Sequence, residues 1–550
     1  KLKKGDYDGL NGSVKINGKH NNTHSIGDMN GINLYGNFRK GKFNAYSSVG
    51  YNNRSRWRDG SRNVSTVYEN DTGTGYTDVI DFEYDKETEK SGLRVMVGGD
   101  YYRSDYLTLN SELSFRQGTH YREGNQYINS PIDIDLLTIE KGKKPNTDMS
   151  GSFEFVRTFR EPEKEFLFSV MHEKEHDSEY NILQYDTTLV TDNSSESEVD
   201  LSYIHPFGGE SKLEFGYDGR FKTHDDDMDF ELGNFTGGSS FDYTRIIHGF
   251  YAELDYKLSD IFSIKPSARM EMVTRDMTFS SNVSDIEDDL IFSDLLDSIP
   301  DSSFVVNEFA LYPDLHFAIN LAEGRGLQFG MSKRVERPGS GWGSNIRPFP
   351  RDIYTEGFIF VGNPFLRPQY STNYDISFNS KIPMGYFSAN VYYKDITDKL
   401  EWYDDDRFNG DITTFRNAEK AYDTGFEVFS IVMGQVLGGS YNRSNLSDSS
   451  GDVELNGVTE FMNMYSRINL PEQYIKVFGF EFGFYYMKIK VPGGTLFGDK
   501  GTLWANMGIS KKILNDSATI SLSIDNLFDS GGFSIYQTKA LDASNIPDGF

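Results

Sequence analysis

The sequence predicts an all-β protein, a large antiparallel transmembrane β-barrel of the 22-stranded type. Three observations support this prediction. Apolar and polar residues alternate in runs of about ten from one end of the 550-residue chain to the other, which is the pattern of strands with one face in lipid and the other on a lumen. The connections between the runs are alternately short and long. Aromatic residues make up 15% of the chain, as expected where rings cover a lipid-facing band.

The hairpin at residues 32–51 shows the alternation most clearly. Ile32, Leu34 and Phe38 fall on one face of its first strand, and Asn33 falls on the other. Because successive side chains of a strand point to opposite faces, this spacing makes one face apolar and the other polar. A soluble sandwich would cover the apolar face with a second sheet. In a large barrel acyl chains cover it, and the polar face lines a lumen.

Period-2 runs predict about 21 strands along the chain. They cover residues 10–20, 30–39, 43–54, 91–102, 106–118, 149–159, 165–176, 197–206, 211–224, 245–258, 261–277, 305–321, 326–337, 369–382, 386–400, 421–434, 436–446, 458–470, 474–488, 500–512 and 517–526. Every second connection is a short turn, and the connections between these turns are long loops. This asymmetry is typical of outer-membrane barrels, whose turns are periplasmic and whose loops are extracellular.

An odd number of strands predicts that the chain is a truncated barrel domain, because bacterial single-chain barrels have an even number. The tail after the last predicted strand, at 517–526, has the Gly/Ser/Asp-rich composition of a long loop. A final strand that returns to the periplasm is expected beyond it. No signal peptide is visible, and residues 1–5 do not resemble a natural start. We interpret residues 1–550 as one transmembrane β-barrel domain that is cut at both ends.

The composition excludes several other classes of protein. Hydrophobic residues make up 37% of the chain, the mean hydropathy is −0.55, and no run reaches the ~18 apolar residues of a membrane-spanning helix. Cysteine is absent, which excludes disulfide frameworks, thiolate zinc sites and cysteine nucleophiles. The formal net charge of −28 argues against a nucleic-acid partner, because phosphates require a basic surface. The sequence indicates no cofactor.

The residue pattern does not indicate an enzyme or a metal centre. The nine histidines are scattered, although His172 and His176 share one strand face, and no Ser/His/Asp grouping stands out. Acidic runs at residues 225–229, 287–289 and 404–406 are predicted to lie in long loops. They could supply oxygen ligands to Ca²⁺, but none has the spacing of an EF-hand loop. The favoured interpretation is a solvated acidic rim.

Several segments resemble the TonB-dependent receptor family of outer-membrane transporters, in its bacteroidete-type form. The segments YPDL at residues 312–315, RVERP at 334–338 and GNPFLRPQ at 362–369 occur in the order and spacing of that family's mid-barrel signature. Residues 417–427 resemble the start of its next strand, and LSIDNLFD at 522–529 resembles its penultimate strand. The resemblance therefore spans the C-terminal half of the chain, and the periodic pattern extends it through the rest.

The resemblance implies a location and a function. It implies a barrel in the outer membrane of a Gram-negative bacterium, which binds an extracellular nutrient and imports it to the periplasm. The implied partners are outer-membrane lipid, an N-terminal plug domain of the same protein, the TonB energy-transducing complex and, as a further candidate, a surface lipoprotein. The plug is not in these 550 residues and is expected to precede them. The alternative is a non-transporting scaffold subunit of a larger outer-membrane complex.

The seventh long loop, about residues 338–368, is the predicted ligand contact if the transporter interpretation holds. Aromatic and Arg side chains on a loop suit a binding anchor. The predicted ligand-binding residues are Trp342, Arg347, Phe349, Arg351 and Tyr354. The alternative, which stays open at this point, is a loop that packs on itself over the barrel mouth.

A second set of predicted site residues consists of charges at strand positions whose neighbours face lipid. These residues are Glu112, Arg116, Glu253, Arg269, Glu271 and Arg334. Because an unpaired charge is costly to bury, their side chains are expected to face the lumen and to meet water or a partner there. Contact with the plug domain is the simplest explanation of them.

Overall fold

The structure is a computed structural model that describes most of the chain. The described residues are 8–19, 29–69, 75–129, 136–183, 186–208, 210–232, 235–283, 302–339, 346–348, 359–404, 412–447, 457–470, 478–491, 494–496, 501–513, 518–524, 527 and 539–541. No helix among them is long and apolar enough to cross a membrane.

Twenty-one strands of seven or more residues occur in this part of the chain, and each corresponds to one predicted strand. They are β1 (Gly9–Lys19), β2 (Met29–Lys40), β3 (Phe43–Glu69), β4 (Gly75–Ser104), β5 (Leu107–Asn129), β6 (Leu136–Thr158), β7 (Glu165–Leu183), β8 (Asp186–Phe207), β9 (Ser211–Leu232), β10 (Phe235–Lys257), β11 (Phe262–Val283), β12 (Ser302–Ala322), β13 (Arg325–Glu336), β15 (Gln369–Ile382), β16 (Gly385–Asp404), β17 (Ile412–Val432), β18 (Gln435–Ser447), β19 (Gly457–Leu470), β20 (Gly479–Val491), β22 (Thr502–Ile513) and β23 (Ala518–Ile524). Three strands of two or three residues are β14 (Ile359–Phe360), β21 (Gly494–Leu496) and β24 (Lys539–Leu541). The predicted all-β fold is confirmed.

Each long strand pairs antiparallel with the next, so the chain runs up and down from β1 to β23. The pairing passes directly from β13 to β15 and from β20 to β22, because β14 and β21 are short segments within connections. β14 pairs parallel with β17, and β24 pairs parallel with β3. Within the described ranges β1 pairs with β2 alone and β23 with β22 alone. A closing strand between them stays a prediction.

The strands of the first half are longer than predicted. β3 has 27 residues and β4 has 30, and their pairing continues up to Glu69 and Gly75. The prediction that residues 55–90 form a loop is therefore wrong. Since about ten residues of a tilted strand cross the hydrocarbon, the upper parts of β3–β12 form a wall of paired strands above the membrane.

The same extension corrects the placement of the first acidic run. Asp225, Asp226 and Asp227 lie on β9 and pair with β8 and β10. Asp226 is 2% exposed, whereas its two neighbours are exposed. The run is thus divided between the two faces of one strand. Residues 287–289 and 405–406, from the other two runs, lie outside the described residues.

Side-chain exposure separates the two faces of the sheet. On β12 Phe309, Leu311 and Leu315 are 68%, 52% and 42% exposed, while Tyr312 is 6% exposed. Exposed rings and aliphatic chains at alternate positions form the lipid-facing band of a transmembrane barrel. The residues between them line the lumen.

The short turns that lie within the described residues are found at one rim, and two of them depend on glycine. Gly41 joins β2 to β3 with a φ of 56°, and Gly324 joins β12 to β13 with a φ of 71°. Glycine adopts this left-handed region without the steric cost that a Cβ imposes. These tight turns define the periplasmic rim, and the longer connections define the extracellular mouth.

Candidate functional site

The upper interior of the barrel contains a hydrophobic core, which we call the mouth core. Phe241 and Met277 at its centre are fully buried. Its members come from the inward faces of β8–β11 and from the segment between β13 and β15; they are Val190, Met228, Phe230, Phe241, Tyr243, Met277, Phe279, Ile346 and Leu366. Phe304, Leu400 and Phe415 pack against it. Packed side chains thus occupy part of the mouth.

The segment between β13 and β15 enters the mouth and is anchored there by a buried ion pair. Ile346, Arg347 and Pro348 are buried. Nη1 of Arg347 lies 3.2 Å from Oδ2 of Asp226, and each side chain is 2% exposed. The N–H of Gly362 also donates to the carbonyl of Arg347 over 2.7 Å. Because removing one partner of a buried pair leaves an uncompensated charge, this contact holds the segment strongly in place.

Of the five predicted ligand-binding residues, the structure describes Arg347 alone. Its guanidinium meets Asp226 inside the barrel and does not reach the extracellular solvent. This position favours the alternative, in which the loop packs over the barrel mouth. The other four predicted residues lie outside the described residues, and their contact with a ligand stays a prediction; they are Trp342, Phe349, Arg351 and Tyr354.

Residues 362–369 form a platform across the mouth, which we call the shelf. Oδ1 of Asn363 accepts from the N–H of Phe365 at 2.9 Å, and its Nδ2 donates to a main-chain carbonyl of β17 at 3.0 Å. Oδ1 of Asn417 accepts from the N–H of Arg367 at 2.8 Å, and its Nδ2 donates to the carbonyl of the same residue at 2.9 Å. A carboxamide offers both an acceptor and donors, which explains why asparagine occupies both positions.

The guanidinium of Arg367 is held at the edge of the shelf by Asp398. Nη2 lies 2.6 Å from Oδ1 of Asp398, and the arginine side chain is 67% exposed. Asp398 has a φ of 54°, and the pairing of β16 with β17 skips this residue. Asn417 donates to the carbonyl of Asp398 at 2.9 Å. A left-handed non-glycine residue stores strain that its surroundings must hold, and here the Arg367 and Asn417 contacts hold it.

A chain of charged side chains lies on the lumen wall below the shelf. Nε of Arg269 lies 2.6 Å from Oε1 of Glu271, and Oε2 of Glu271 bonds to Arg337. Arg337 also donates to the hydroxyl of Tyr312 at 2.9 Å. Glu271 is nearly buried, so the two arginines compensate the charge that water would otherwise solvate. This network ties β11 and β12 to the residue that follows β13.

Arg275 connects the lumen wall to the shelf itself. Its side chain is 3% exposed, and Nη2 lies 2.6 Å from Oε1 of Glu308 on β12. Nη1 donates to the carbonyl of Leu366 at 3.4 Å. The shelf therefore rests on a cation that is neutralised by its neighbouring strand.

A cavity of about 460 Å³ lies between the shelf and the lumen wall. Its lining is Arg275, Phe304, Val306, Glu308, Pro364, Phe365, Leu366, Arg367, Pro368, Tyr370 and Asp398. Phe365 is 70% exposed, and its ring stacks on that of Phe304 with 5.4 Å between centroids. Apolar walls with a few charged groups, at this size, suit a small-molecule ligand. The described residues thus offer a built recess at the extracellular mouth.

The predicted lumen charges all lie on the face opposite the exposed apolar residues, and barrel side chains pair with them. Glu112 accepts from the hydroxyl of Tyr46 at 3.1 Å, Arg116 lies 3.7 Å from Asp148, Glu253 lies 2.7 Å from Lys265, and Arg334 lies 3.4 Å from Asp314. The structure brings Arg269 and Glu271 together near the mouth, whereas the other four are spread along the wall. Their contact with a plug domain stays a prediction.

Sequence reasoning missed the charged residues that build the mouth, which are Asp226, Arg275, Glu308, Arg337 and Asp398. One signal was present for Asp226, because Asp226, Met228 and Phe230 occupy alternate positions of one strand. A carboxylate in phase with two apolar residues indicates a buried face. Nothing local in the sequence indicates the cations that pair with these carboxylates, since the partners lie on other strands.

Among the described residues, two groups of Asp, Glu or His side chains have potential metal-ligand atoms within 4.8 Å of one another; they are Asp192, His224 and Asp226, and Asp148, Glu175 and Asp177. Asp226 is already paired with Arg347. Oδ2 of Asp177 lies 2.6 Å from Nζ of Lys144. Because a cation of the chain already pairs with a carboxylate of each group, we assign no metal to either.

Comparison with known proteins identifies the family. The profile of the outer membrane protein beta-barrel family matches residues 141–545, which is well over half of the chain. The chain belongs to this family. It is therefore a protein of the Gram-negative outer membrane. No curated protein matches the sequence.

Solved structures show that this outer membrane β-barrel protein shares its fold with uptake receptors. The siderophore receptor PiuA from Acinetobacter baumannii matches with a TM-score of 0.61 at 12% identity, over 96% of this chain and 78% of that one. A variant of the ferric enterobactin receptor PfeA from Pseudomonas aeruginosa, bound to enterobactin, matches with a TM-score of 0.58 at 14% identity, over 96% of this chain and 76% of that one. The ferric yersiniabactin uptake receptor FyuA from Yersinia pestis matches with a TM-score of 0.57 at 13% identity, over 95% of this chain and 76% of that one.

Proposed function

We propose that this barrel belongs to a TonB-dependent receptor that binds an extracellular nutrient at its mouth and imports it to the periplasm. The observation that carries the proposal is the cavity between the shelf and the lumen wall. A passive pore needs an open lumen, whereas a receptor needs a recess that retains one solute. The likeness to uptake receptors supports this choice.

The geometry suggests how a nutrient would be held. Phe365 and Phe304 present stacked rings to the cavity, and Arg367 presents an exposed guanidinium at its edge. Aromatic faces supply contact area, and a guanidinium supplies planar donors for an anionic group. We infer that the recess accepts a solute with a flat apolar part and an anionic part.

Import requires that the mouth change shape, because the mouth core and the Arg347–Asp226 pair occupy it. We propose that the expected plug domain and the TonB complex drive this change, with a surface lipoprotein as a further candidate partner. We propose the bacteroidete-type form of this receptor because residues 362–369 resemble that form's mid-barrel signature, and these residues form the shelf on which the recess depends.

A competition experiment tests the proposal in the native organism. A strain that lacks the gene is grown against its parent on a panel of limiting nutrients, including ferric siderophores, haem, a corrinoid and oligosaccharides. We expect a loss of fitness on one nutrient class, and the same loss when the TonB gene is deleted.

The opposite outcome would favour a scaffold. Equal fitness on every nutrient, together with loss of other proteins from the outer membrane of the deletion strain, would contradict import. Restoring the gene with Arg367→Ala and Phe365→Ala then distinguishes the two functions, because a scaffold does not need the recess.

A further inference from the structure

Three basic residues occupy successive outward positions on β7. They are His172, Lys174 and His176, and all three are exposed. Residues directly opposite each other in an antiparallel pair lie on the same face. Lys174 is opposite Met149 of β6, which is 56% exposed. The three residues therefore share the lipid-facing side of the sheet, and we call them the basic stripe.

The height of the basic stripe follows from its position in the strand. β7 begins at Glu165 just after a periplasmic turn, and Lys174 and His176 are its tenth and twelfth residues. The outward residues below them, Phe168 and Val170, are apolar. Because about ten residues of a tilted strand cross the hydrocarbon, the stripe lies where the outer leaflet's acyl chains end and its headgroups begin.

Neighbouring side chains hold the two imidazoles of the stripe in place. Nδ1 of His172 lies 2.8 Å from Oγ of Ser197, and Nδ1 of His176 lies 2.7 Å from Oδ1 of Asn193. Lys174 lies between the two rings and forms no ion pair with any described residue. Its ammonium is therefore available to an external anion.

The stripe contrasts with the rest of the molecule. The chain has a formal net charge of −28, and outward positions at similar height on β9 are acidic, namely Asp225 and Asp227. β8 separates the two regions with the neutral Ser197 and Asn193. An ammonium that lies between two imidazoles and forms no ion pair with any described residue, at the headgroup level of an acidic protein, requires a specific explanation.

We propose that the basic stripe binds the phosphorylated headgroup of an outer-leaflet lipid. The ammonium of Lys174 donates to phosphate oxygens, and a charge-assisted bond of this kind is strong. The two flanking imidazoles place further polar rings beside the same headgroup. Phe168 and Val170 lie below the stripe on the same face, and Met149 lies beside Lys174, so that these apolar side chains are placed to contact acyl chains. A soluble phosphate would use the ammonium but not this apolar surface, so the arrangement fits a lipid. The proposal is independent of the transported solute.

The test compares two forms of one lipid. The full-length protein is purified in detergent, and native mass spectrometry measures its affinity for phosphorylated lipid A and for the same lipid A after enzymatic dephosphorylation. We expect the phosphorylated form to bind about tenfold more tightly or better. Lys174→Gln should weaken this binding about fivefold, the effect of one cation near an anionic headgroup. The combined change His172→Gln, Lys174→Gln and His176→Gln should remove the preference.

Two controls keep the proposal falsifiable. Glu173→Gln changes the lumen face of the same strand and should retain the preference, and Lys174→Arg should retain it because the charge remains. Migration as a folded barrel in unheated gel electrophoresis confirms that each variant is assembled, and Lys174→Gln alone replaces the triple variant if that one fails to fold.

Three results would overturn the proposal. One is equal affinity of the unaltered protein for both forms of lipid A. Another is an unchanged preference in a folded triple variant. The third is displacement of phosphorylated lipid A by millimolar inorganic phosphate as effectively as by the lipid itself, which would assign the stripe to a soluble anion.

Discussion

The lower and upper halves of β10 use the same alternation with opposite polarity. In the lower half Leu254 lies on the outward face and Glu253 on the lumen face, whereas in the upper half Asp242 is exposed and Phe241 and Tyr243 are buried inside. The medium outside changes from hydrocarbon to water along the strand, and the inside changes from a polar lumen to the mouth core. The period of two sets the faces, but the surroundings decide which face is apolar.

The same inversion occurs on the neighbouring strands. Met228 and Phe230 of β9, and Met277 and Phe279 of β11, are buried inside the mouth. Lipid therefore stabilises the lower half of this wall, while the chain's own side chains stabilise the upper half. If this comparison is correct, changes in one half leave the other assembled.

The largest expected effect is that of Phe241→Ala in the mouth core. Phe241 is fully buried, and removing its ring should cost roughly 3–5 kcal/mol of the upper half's stability because a cavity remains. Protease digestion of intact cells should then cleave the upper strands, while the membrane band still resists urea. The adjacent outward Asp242→Ala is the control and should resemble the parent. Simultaneous loss of both halves would show that they form one cooperative unit.

A slightly smaller effect is expected for Asp226→Asn, which leaves Arg347 buried without its anionic partner. The substitution should destabilise the upper half by about 3 kcal/mol. This is the lower end of the range for a broken buried ion pair, because the amide oxygen still accepts a hydrogen bond. The measurement is cleavage near residues 346–348 by added protease. Asp225→Asn, one residue away on the exposed face, should leave the rate of this cleavage unchanged. If both variants are equally resistant, the pair does not anchor the segment.

In the lower half, Leu254→Arg places a charge in hydrocarbon and should cost about 2 kcal/mol, since the residue lies near the periplasmic end of its strand. Refolding from urea into lipid vesicles measures this loss. Glu253→Arg faces the lumen and should be much milder. Equal losses for the two variants would contradict the assignment of faces.

The smallest effect on stability is expected for Phe365→Ala, because this ring is 70% exposed. It should alter unfolding by less than about 1 kcal/mol but reduce nutrient uptake, since it removes a wall of the cavity. Phe309→Ala is the matched control, because Phe309 is 68% exposed on the outward face. Equal uptake by both variants would remove Phe365 from the proposed recess.

The strand ends illustrate where sequence reasoning stops. The predicted strand at 211–224 ends, and the predicted strand at 245–258 begins, close to the point at which the apolar face changes sides on β9 and β10. A change of phase in the pattern looks like a loop, because both interrupt the alternation. Only the pairing with neighbouring strands shows that the backbone continues as a strand.

The shelf illustrates a second limit. The motif at residues 362–369 indicates a family resemblance, and its order along the chain predicts a position between two strands. It does not predict that Asn363 and Asn417 hold it against the barrel, since these contacts join residues 50 or more positions apart. Nor does it predict the pairing of Arg347 with Asp226.

The sequence by itself determined the strand-and-turn architecture, because a side-chain period of two and tight turns are local properties that each segment carries alone. It also determined the outer-membrane class, since a continuous apolar face with a polar lumen face has no other stable setting at this size. The tertiary structure decided the length of the upper strands, the mouth core and the partner of every charge at the site. Those features depend on which strands become neighbours, and burial and ion pairing act through space, not along the chain.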